Sequence, residues 1–376
     1  MKQTKKIRVA VLFGGRSTEH EVSLRSATNV IQHIDMTHFD IVPVGIDKQG
    51  SWFLGQDVFT KSVAQQSVPQ LTQNNQTWFT PEWVGKSVTQ TDANELEEKM
   101  FDVVFPVVHG TFCEDGTLQG LLELADLPYV GCGVLASSIG MDKDVSKRLA
   151  GLAGVNVAPY LVIKHGQWLN QSSDWIKKVT DTISYPAFVK PANAGSSIGI
   201  TKVKSEQQLA AAIDEAFKFD TKILIEKALN VQELELAVLE SLEPGADPIV
   251  SVVGEIRPSH EFYSYDAKYV DDNGAQLFIP APVSDELAEQ ARLVAKKIFA
   301  ALECEGMARV DLFLDKDTQT IYFNEINTIP GFTKISMYPK LMEASGVSYA
   351  ALLTHLIQLA IARHEAKNKL IRSHIA

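Results

Sequence analysis

The chain has 376 residues, 45% of them hydrophobic and 22% charged, with a formal net charge of −11. This is the composition of a soluble globular protein long enough for two or three domains. The acidic balance, without a local basic patch, argues against a nucleic-acid partner, and no stretch approaches the roughly 18–20 apolar residues of a membrane span.

The N-terminus, MKQTKKIRVAVLFGG, is basic and then apolar. Its apolar run is too short for a signal peptide and leads straight into a glycine turn. It predicts a first strand over residues 7–13. The three cysteines, Cys113, Cys132 and Cys304, are odd in number and lack metal spacing. They indicate unpaired thiols in a reducing compartment, hence a cytoplasmic protein.

After the glycines, the periodic segment from about Ser23 predicts a helix. Strand, glycine turn and helix suggest an open α/β domain with its ligand at the strand's C-terminal end. The spacing fits neither the dinucleotide fingerprint nor the Walker pattern. Glu21, near the helix start, would repel a phosphate and attract an ammonium group. A carboxylate stabilising the helix N-terminus is the equally open alternative.

A second strand spans Phe39–Ile46. Residues 55–98 are rich in Gln, Asn, Ser and Thr and read as a surface excursion without assigned chemistry. FDVVFPVVHGTFCEDGTLQG then gives a buried strand, a loop carrying His109, and a helix from about Thr117. His109 is a site candidate, although a lone histidine is as readily structural.

From Gly131 the pattern changes. MDKDVSKRLAGLAG predicts a helix ending at Gly151 or Gly154, followed by a strand toward Val162. A further strand ends at Lys190, where a Gly/Ser loop begins. Backbone N–H groups of such a loop can approach phosphates, and Lys190 could bind one, but many such loops are plain hairpin turns. Residues 205–219 predict an amphipathic helix, and KILIEKAL another strand. VQELELAVLE alternates, placing Glu233 and Glu235 on one face of what reads as a polar edge strand. The aromatic, charged stretch GEIRPSHEFYSYDAKYVDDNGAQLFIPAP reads as a long irregular loop, a lid or binding loop. A helix over about 284–302 precedes a hairpin, and a C-terminal helix is predicted over 347–365.

The hairpin carries the most chemistry. Met307–Leu314 and Thr320–Ile326 flank the polar turn DKDTQT. A turn centred near Thr318 sets Asp311 opposite Glu325 and Arg309 opposite Asn327. Alternation adds Phe313 to the first set and Phe323 to the second. Cross-strand neighbours lie about 4.5–5.5 Å apart. Two facing carboxylates repel unless a cation or proton lies between them. Oxygen ligands without Cys or His suit Mg²⁺, which commonly bridges carboxylates and phosphates. A solvated hairpin face is the competing explanation, but stray carboxylates on a half-buried sheet are costly.

HEVS (20–23), HGTFCEDGTLQG (109–120), MDK (141–143), VKPANAGSSIG (189–199), EKAL (226–229), EFYSYDAKY (261–269), ARVD (308–311) and NEINTIPGFTKISMYP (324–339) occur in one order. Together they resemble D-alanine–D-alanine ligases of the ATP-grasp superfamily, over about residues 9–361 apart from 55–98. The resemblance implies an α/β, three-domain ATP-grasp architecture. Its parts would be an N-terminal open α/β substrate domain (1–131), a central subdomain with the Gly/Ser loop (132–227), and a C-terminal subdomain with lid and metal site (228–376).

It implies an ADP-forming ligation of two D-alanines through an acyl phosphate, for peptidoglycan synthesis. Asp311, Glu325 and Asn327 would hold two Mg²⁺ (or Mn²⁺) ions. Lys143, Lys190 and Lys268 would contact ATP phosphates, Glu226, Lys227 and Leu229 the adenine, and Glu233 the ribose. Arg309 and the Gly331 N–H would stabilise the tetrahedral oxyanion. Glu21 would pair with the ammonium of the first D-alanine. Ser336 and the Met337 N–H would hold the second carboxylate; the family often has Leu at the latter position, and a backbone contact survives Met. His109 would lie near the substrate carboxylates. Ser196 and Tyr269 would link the Gly/Ser loop, the lid and Glu21. A homodimer is also implied. Two alternatives are a sibling ligase using D-lactate or D-serine, against which Tyr269 in the lid speaks, and a non-catalytic nucleotide-binding protein, against which the full set of metal ligands and Arg309 speaks.

Overall fold

The computed structural model describes residues 5–54, 101–258 and 275–371. Three sheets organise them. The first takes β1 (Ile7–Gly14), β2 (Phe39–Ile46), β3 (Trp52–Leu54) and β4 (Val103–Pro106) in the order β3-β2-β1-β4. β1 runs parallel to β2 and β4. Its run from Val9 to Phe13 is buried throughout, as a parallel strand covered on both faces must be. On one face Ala10 and Leu12 meet Leu118 and Leu122 of α2 (Thr117–Leu124). On the other, Val9, Val11 and Phe13 meet α1 (His20–His33) and two helices from the far end of the chain.

Between these come α3 (Val134–Met141) and α4 (Lys143–Leu152). The sequence predicts one helix here. Asp142 divides them: its extended backbone ends α3, and its side chain caps α4 by accepting from the Asp144 and Val145 N–H groups. The cap sets Lys143 as the first helical residue and Lys147 one turn later.

The second sheet is antiparallel, in the order β5-β8-β6-β7. Its strands are β5 (Tyr160–Lys164), β6 (Ala187–Pro191), β7 (Thr201–Val203) and β8 (Lys222–Lys227). α5 (His165–Thr182) and α6 (Glu206–Ala216) cover it through Trp168, Val179, Leu209 and Ile213. α5 is absent from the sequence reading. It buries only Trp168 and Val179 fully and is kinked at Gln171, so its apolar period is faint.

The third sheet contains β9 (Val231–Leu239), β10 (Ile249–Val250), β11 (Gly254–Pro258), β12 (Ala275–Phe278), β13 (Met307–Asp315) and β14 (Ile321–Asn327). Its order is β12-β11-β9-β13-β14, with β10 also on β9. β9 is therefore an interior strand and not the polar edge that its alternation suggests. The stretch read as one irregular loop contains β11 and β12, which pair with each other. The lid segment between them, including Lys268 and Tyr269, lies outside the described residues. α7 (Asp285–Ala301) covers this sheet with Ala291, Ala295 and Ile298.

α8 (Met337–Ala344) and α9 (Tyr349–Asn368) return to the first sheet. Leu352, Leu353, Leu356 and Ile357 of α9 are fully buried there. Each such side chain contributes about 1.5–3 kcal/mol, so α9 is fixed to the N-terminal core. The three cysteines are free thiols. Among the described residues, no single helix is long and apolar enough to cross a membrane.

Candidate active site

The β13–β14 register places Asp311 opposite Glu325 and Arg309 opposite Asn327, as the hairpin predicts. A bulge then shifts the pairing, so that Leu312 meets Phe323 and Asn324 is the extra residue. Phe323 is thereby turned into the core beside Leu312, and does not share the Glu325 face. On its other side Asp311 faces Glu235 of β9. Three carboxylates thus line one row across the sheet.

Arg309 lies among them. Its Nε and Nη2 donate to the two Asp311 oxygens at 2.7 and 2.6 Å, and Nε lies 3.2 Å from Glu235 Oε2. Burial opposes the guanidinium charge, but Asp311 and Glu235 outweigh it and hold its pKa well above the usual range. Glu325 is approached by Lys143 Nζ at 3.4 Å. The same Nζ donates to the Ala194 carbonyl at 2.7 Å, joining the metal-site candidates to the Gly/Ser loop. Asn327 Oδ1 accepts from the Ile329 N–H at 3.0 Å.

The N-terminal loop corrects one assignment. α1 begins at His20, three residues earlier than the periodicity indicates. Glu21 then falls on its exposed side, where it accepts from Lys48 Nζ at 3.1 Å. Two residues back, roughly 200° around a helix of 3.6 residues per turn, Glu19 is buried and accepts from Ser196 Oγ. A Cβ added at Gly110 would meet Glu19 Oε2 at 2.8 Å. Glu19, and not Glu21, is therefore the carboxylate shared by the N-terminal loop, the His109 loop and the Gly/Ser loop. Ser196 and Ser197 both adopt positive φ, of 50° and 60°, a conformation uncommon for residues with a Cβ and concentrated at functional loops.

His109 is 3% exposed. Its Nδ1 lies 3.1 Å from the Ile329 carbonyl and 3.4 Å from Glu114 Oε1. Its Nε2 is 3.4 Å from Ser26 Oγ, which accepts from the Phe332 N–H at 3.3 Å. Burial disfavours the imidazolium, but Glu114 outweighs it and raises the pKa. A raised folded pKa gives stability that is complete below the ordinary value near 6.5 and is lost as pH rises through the folded value. Replacing His109 by Gln should accordingly cost about 1.5–3 kcal/mol at pH 6. The difference from wild type should shrink as pH rises above 6.5, as read by urea denaturation. A difference independent of pH would mean that His109 is neutral in the fold.

On the β6–β8 side, Lys190 Nζ donates to Glu226 Oε1 at 2.7 Å, and Lys147 Nζ lies 2.7 Å from Oε2. Burial raises the Glu226 pKa, but the two ammonium groups outweigh it and bring it to about 2. Lys227 is exposed, and Leu229 and Glu233 are half-buried. Ser336 immediately precedes α8, and its Oγ accepts from the Thr333 N–H at 3.0 Å and not from the helix's own N–H groups. A Cβ at Gly331 would lie 2.8 Å from Ser336 Oγ, so a side chain there would have to displace that hydroxyl. The Met337 N–H is among the first donors of α8, which a helix leaves without an internal partner.

Hydrogen bonds and ion pairs thus connect Glu325, Lys143, the Gly/Ser loop and Glu19, while His109 reaches Ile329 and, through Ser26, Phe332. Glu19, Glu114, Lys147 and Glu235 were missed as site residues from sequence. A cavity of about 680 Å³ lined in part by Val134, Phe299 and Cys304 contains none of these groups.

Residues 8–132 match the family model for the D-ala D-ala ligase N-terminus and residues 149–358 that for its C-terminus. A curated D-alanine–D-alanine ligase A of Bradyrhizobium diazoefficiens is 48% identical, over 98% of this chain and 99% of that protein. The D-alanine–D-alanine ligase of Caldicellulosiruptor bescii is also 48% identical, over 97% of this chain and 98% of the relative. Among solved structures, the VanG D-Ala:D-Ser ligase of Enterococcus faecalis superposes with a TM-score of 0.79 at 37% identity, covering 95% of this chain and 100% of that one.

Proposed function

The chain belongs to the D-alanine–D-alanine ligase family, and from that premise we propose how its own residues carry the reaction. It is an ATP-dependent ligase of the ATP-grasp fold that joins two D-alanines for peptidoglycan precursor synthesis. The observation that carries the reading is the row Glu235–Asp311–Glu325 with Arg309 seated on Asp311. Such a row is arranged to manage phosphate and oxyanion charge.

The donor set fits a divalent cation. Asp311, Glu325 and Asn327 offer only hard oxygen atoms, and the carboxylates already hold the protein cations Arg309 and Lys143. No group of three or more His, Cys, Asp or Glu side chains forms a complete cage among the described residues. Asp311, Glu325 and Asn327 would hold two Mg²⁺ or Mn²⁺ ions. When bound, such ions neutralise charge on the transferring phosphoryl group.

The chain's own groups do the rest. Lys143 and Lys190, with Lys268, hold the phosphates. Glu226, Lys227 and Leu229 form the adenine side, and Glu233 the ribose side. Glu19 takes the ammonium of the first D-alanine, replacing Glu21. The γ-phosphoryl group of ATP passes to that substrate's carboxylate with release of ADP, giving an acyl phosphate; the second amine, having lost a proton, attacks its carbonyl, and the tetrahedral adduct expels phosphate to leave the amide. Arg309 carries five N–H donors, more than Asp311 takes; with the Gly331 N–H it stabilises the oxyanion. Ser336 and the Met337 N–H hold the second carboxylate at the start of α8. His109 lies beside the carboxylates. Ser196, with Tyr269, orders the loop that excludes water.

Division at 1–131, 132–227 and 228–376 is supported by the three sheets, each drawn from one segment. A homodimer in the cytoplasm, acting on D-alanine and ATP without nucleic acid or membrane, completes the reading. The likeness to VanG favours a second reading, with D-serine as second substrate. ATP-dependent phosphate release with D-alanine, D-serine and D-lactate separates the two. We expect turnover with D-alanine alone and little mixed product. Mixed product exceeding D-alanyl-D-alanine at equal concentrations would favour the second reading.

A further inference from the structure

Lys147 is 1% exposed and lies one helical turn after Lys143 on α4. Besides Glu226 Oε2, its Nζ reaches the Phe323 carbonyl at 3.3 Å and the face of the Phe323 ring at 5.9 Å. Lys190 holds the other oxygen of the same carboxylate and sits over the rings of Phe188 and Phe313, at 5.5 and 5.9 Å. Across β8, Glu226 is opposite Tyr160 on β5 and Phe188 on β6. Glu325 on β14 also acts on Lys147 through space. One enclosed carboxylate therefore has two ammonium partners, on different elements.

The two lysines differ in what the reaction asks of them. If Lys190 serves ATP phosphate, its charge is shared between the nucleotide and Glu226, and its hold on Glu226 weakens. A buried carboxylate left without a counter-ion is strongly disfavoured. Lys147 is enclosed and anchored to the backbone of β14, so it can remain when Lys190 shifts. We propose that Lys147 is the fixed counter-ion of Glu226, a positioning residue that frees Lys190 to exchange from Glu226 to the nucleotide. This rests on the nucleotide-site reading above.

The test is a double-mutant cycle on binding of MgATP to the full chain, by calorimetry, with D-alanine KM values alongside. Lys147→Met removes the charge and keeps the length. Among the described residues Lys190 is then the one cation left on Glu226, and drawing it away leaves that carboxylate bare. ATP affinity should fall about 10- to 150-fold, the effect of one charge-assisted hydrogen bond, while D-alanine KM values change less than about twofold. In the Glu226→Gln background there is no carboxylate to neutralise, and Lys147→Met should change ATP affinity less than about threefold. Where K147M alone does not fold, the Glu226→Gln pair still decides: a loss well above threefold on adding Lys147→Met there overturns the proposal. Equal losses in both backgrounds would overturn the proposal and make Lys147 a structural tie to β14. Lys190→Met tests the premise separately. Unchanged ATP affinity in K190M would overturn the nucleotide-site reading and this proposal with it. Loss in K190M without background dependence for K147M would overturn this proposal alone.

Discussion

Asp311→Asn and Glu325→Gln should each lower kcat by about 10³-fold, on the scale of losing a preorganised charge contact at a reacting phosphoryl group. The measurement is phosphate release at saturating ATP, D-alanine and Mg²⁺. The two variants should differ in stability. Facing carboxylates alone would lead one to expect that removing either relieves repulsion and leaves the metal-free protein as stable or more so. The structure alters that expectation for Asp311, whose two oxygens take Nε and Nη2 of Arg309 at 2.7 and 2.6 Å. Asp311→Asn loses a buried charge-assisted pair, costing about 1.5–3 kcal/mol. Glu325 meets Lys143 at 3.4 Å, with its side chain 32% exposed. Its replacement should change stability by no more than about 1 kcal/mol. Unfolding in urea with chelator present checks both values. Near-normal kcat for either variant would remove that residue from the phosphoryl-transfer site.

The hairpin was legible because two independent signals agree there. Its polar turn fixes the register, and alternation then fixes the faces. The Asp311–Glu325 and Arg309–Asn327 pairs follow from those alone. The bulge at Asn324 does not, because an inserted residue leaves no mark in composition. Glu235 was misread for a related reason. Alternation of charged and apolar residues reports one polar face, and cannot say whether that face looks to solvent or to an arginine on the next strand. Lys147 looks like an ordinary polar residue on an amphipathic helix. Its burial depends on β8 and β14, which are far away in sequence. The proposed nucleotide side rests on motifs and not on physics, since a Gly/Ser loop after a lysine is compatible with any hairpin.

Glu19 and Glu21 are two residues apart and stand in different surroundings. The apolar period of α1 becomes clear only from Val22, so the helix start was placed too late, and the carboxylate nearer that start was chosen. The structure starts the helix at His20 and puts the two glutamates on different sides. Glu19→Gln should therefore weaken apparent affinity for the first D-alanine about 10- to 150-fold, since a charge-assisted hydrogen bond is worth roughly 1.5–3 kcal/mol. An α-ammonium entering a partly closed site needs a negative partner. The first D-alanine keeps its amine charged, whereas the second must lose a proton to attack, so the second KM should change much less. ATP affinity should hardly change. Glu21→Gln removes only an exposed pair with Lys48, so its kinetics should match wild type within about twofold, as a surface ion pair implies. Steady-state kinetics resolving the two D-alanine sites, with nucleotide affinity by calorimetry, distinguishes the assignments. A selective loss in Glu21→Gln with Glu19→Gln unaffected would restore the sequence assignment. A uniform loss across all three ligands in Glu19→Gln would make Glu19 a structural link to Ser196 rather than a ligand for the substrate.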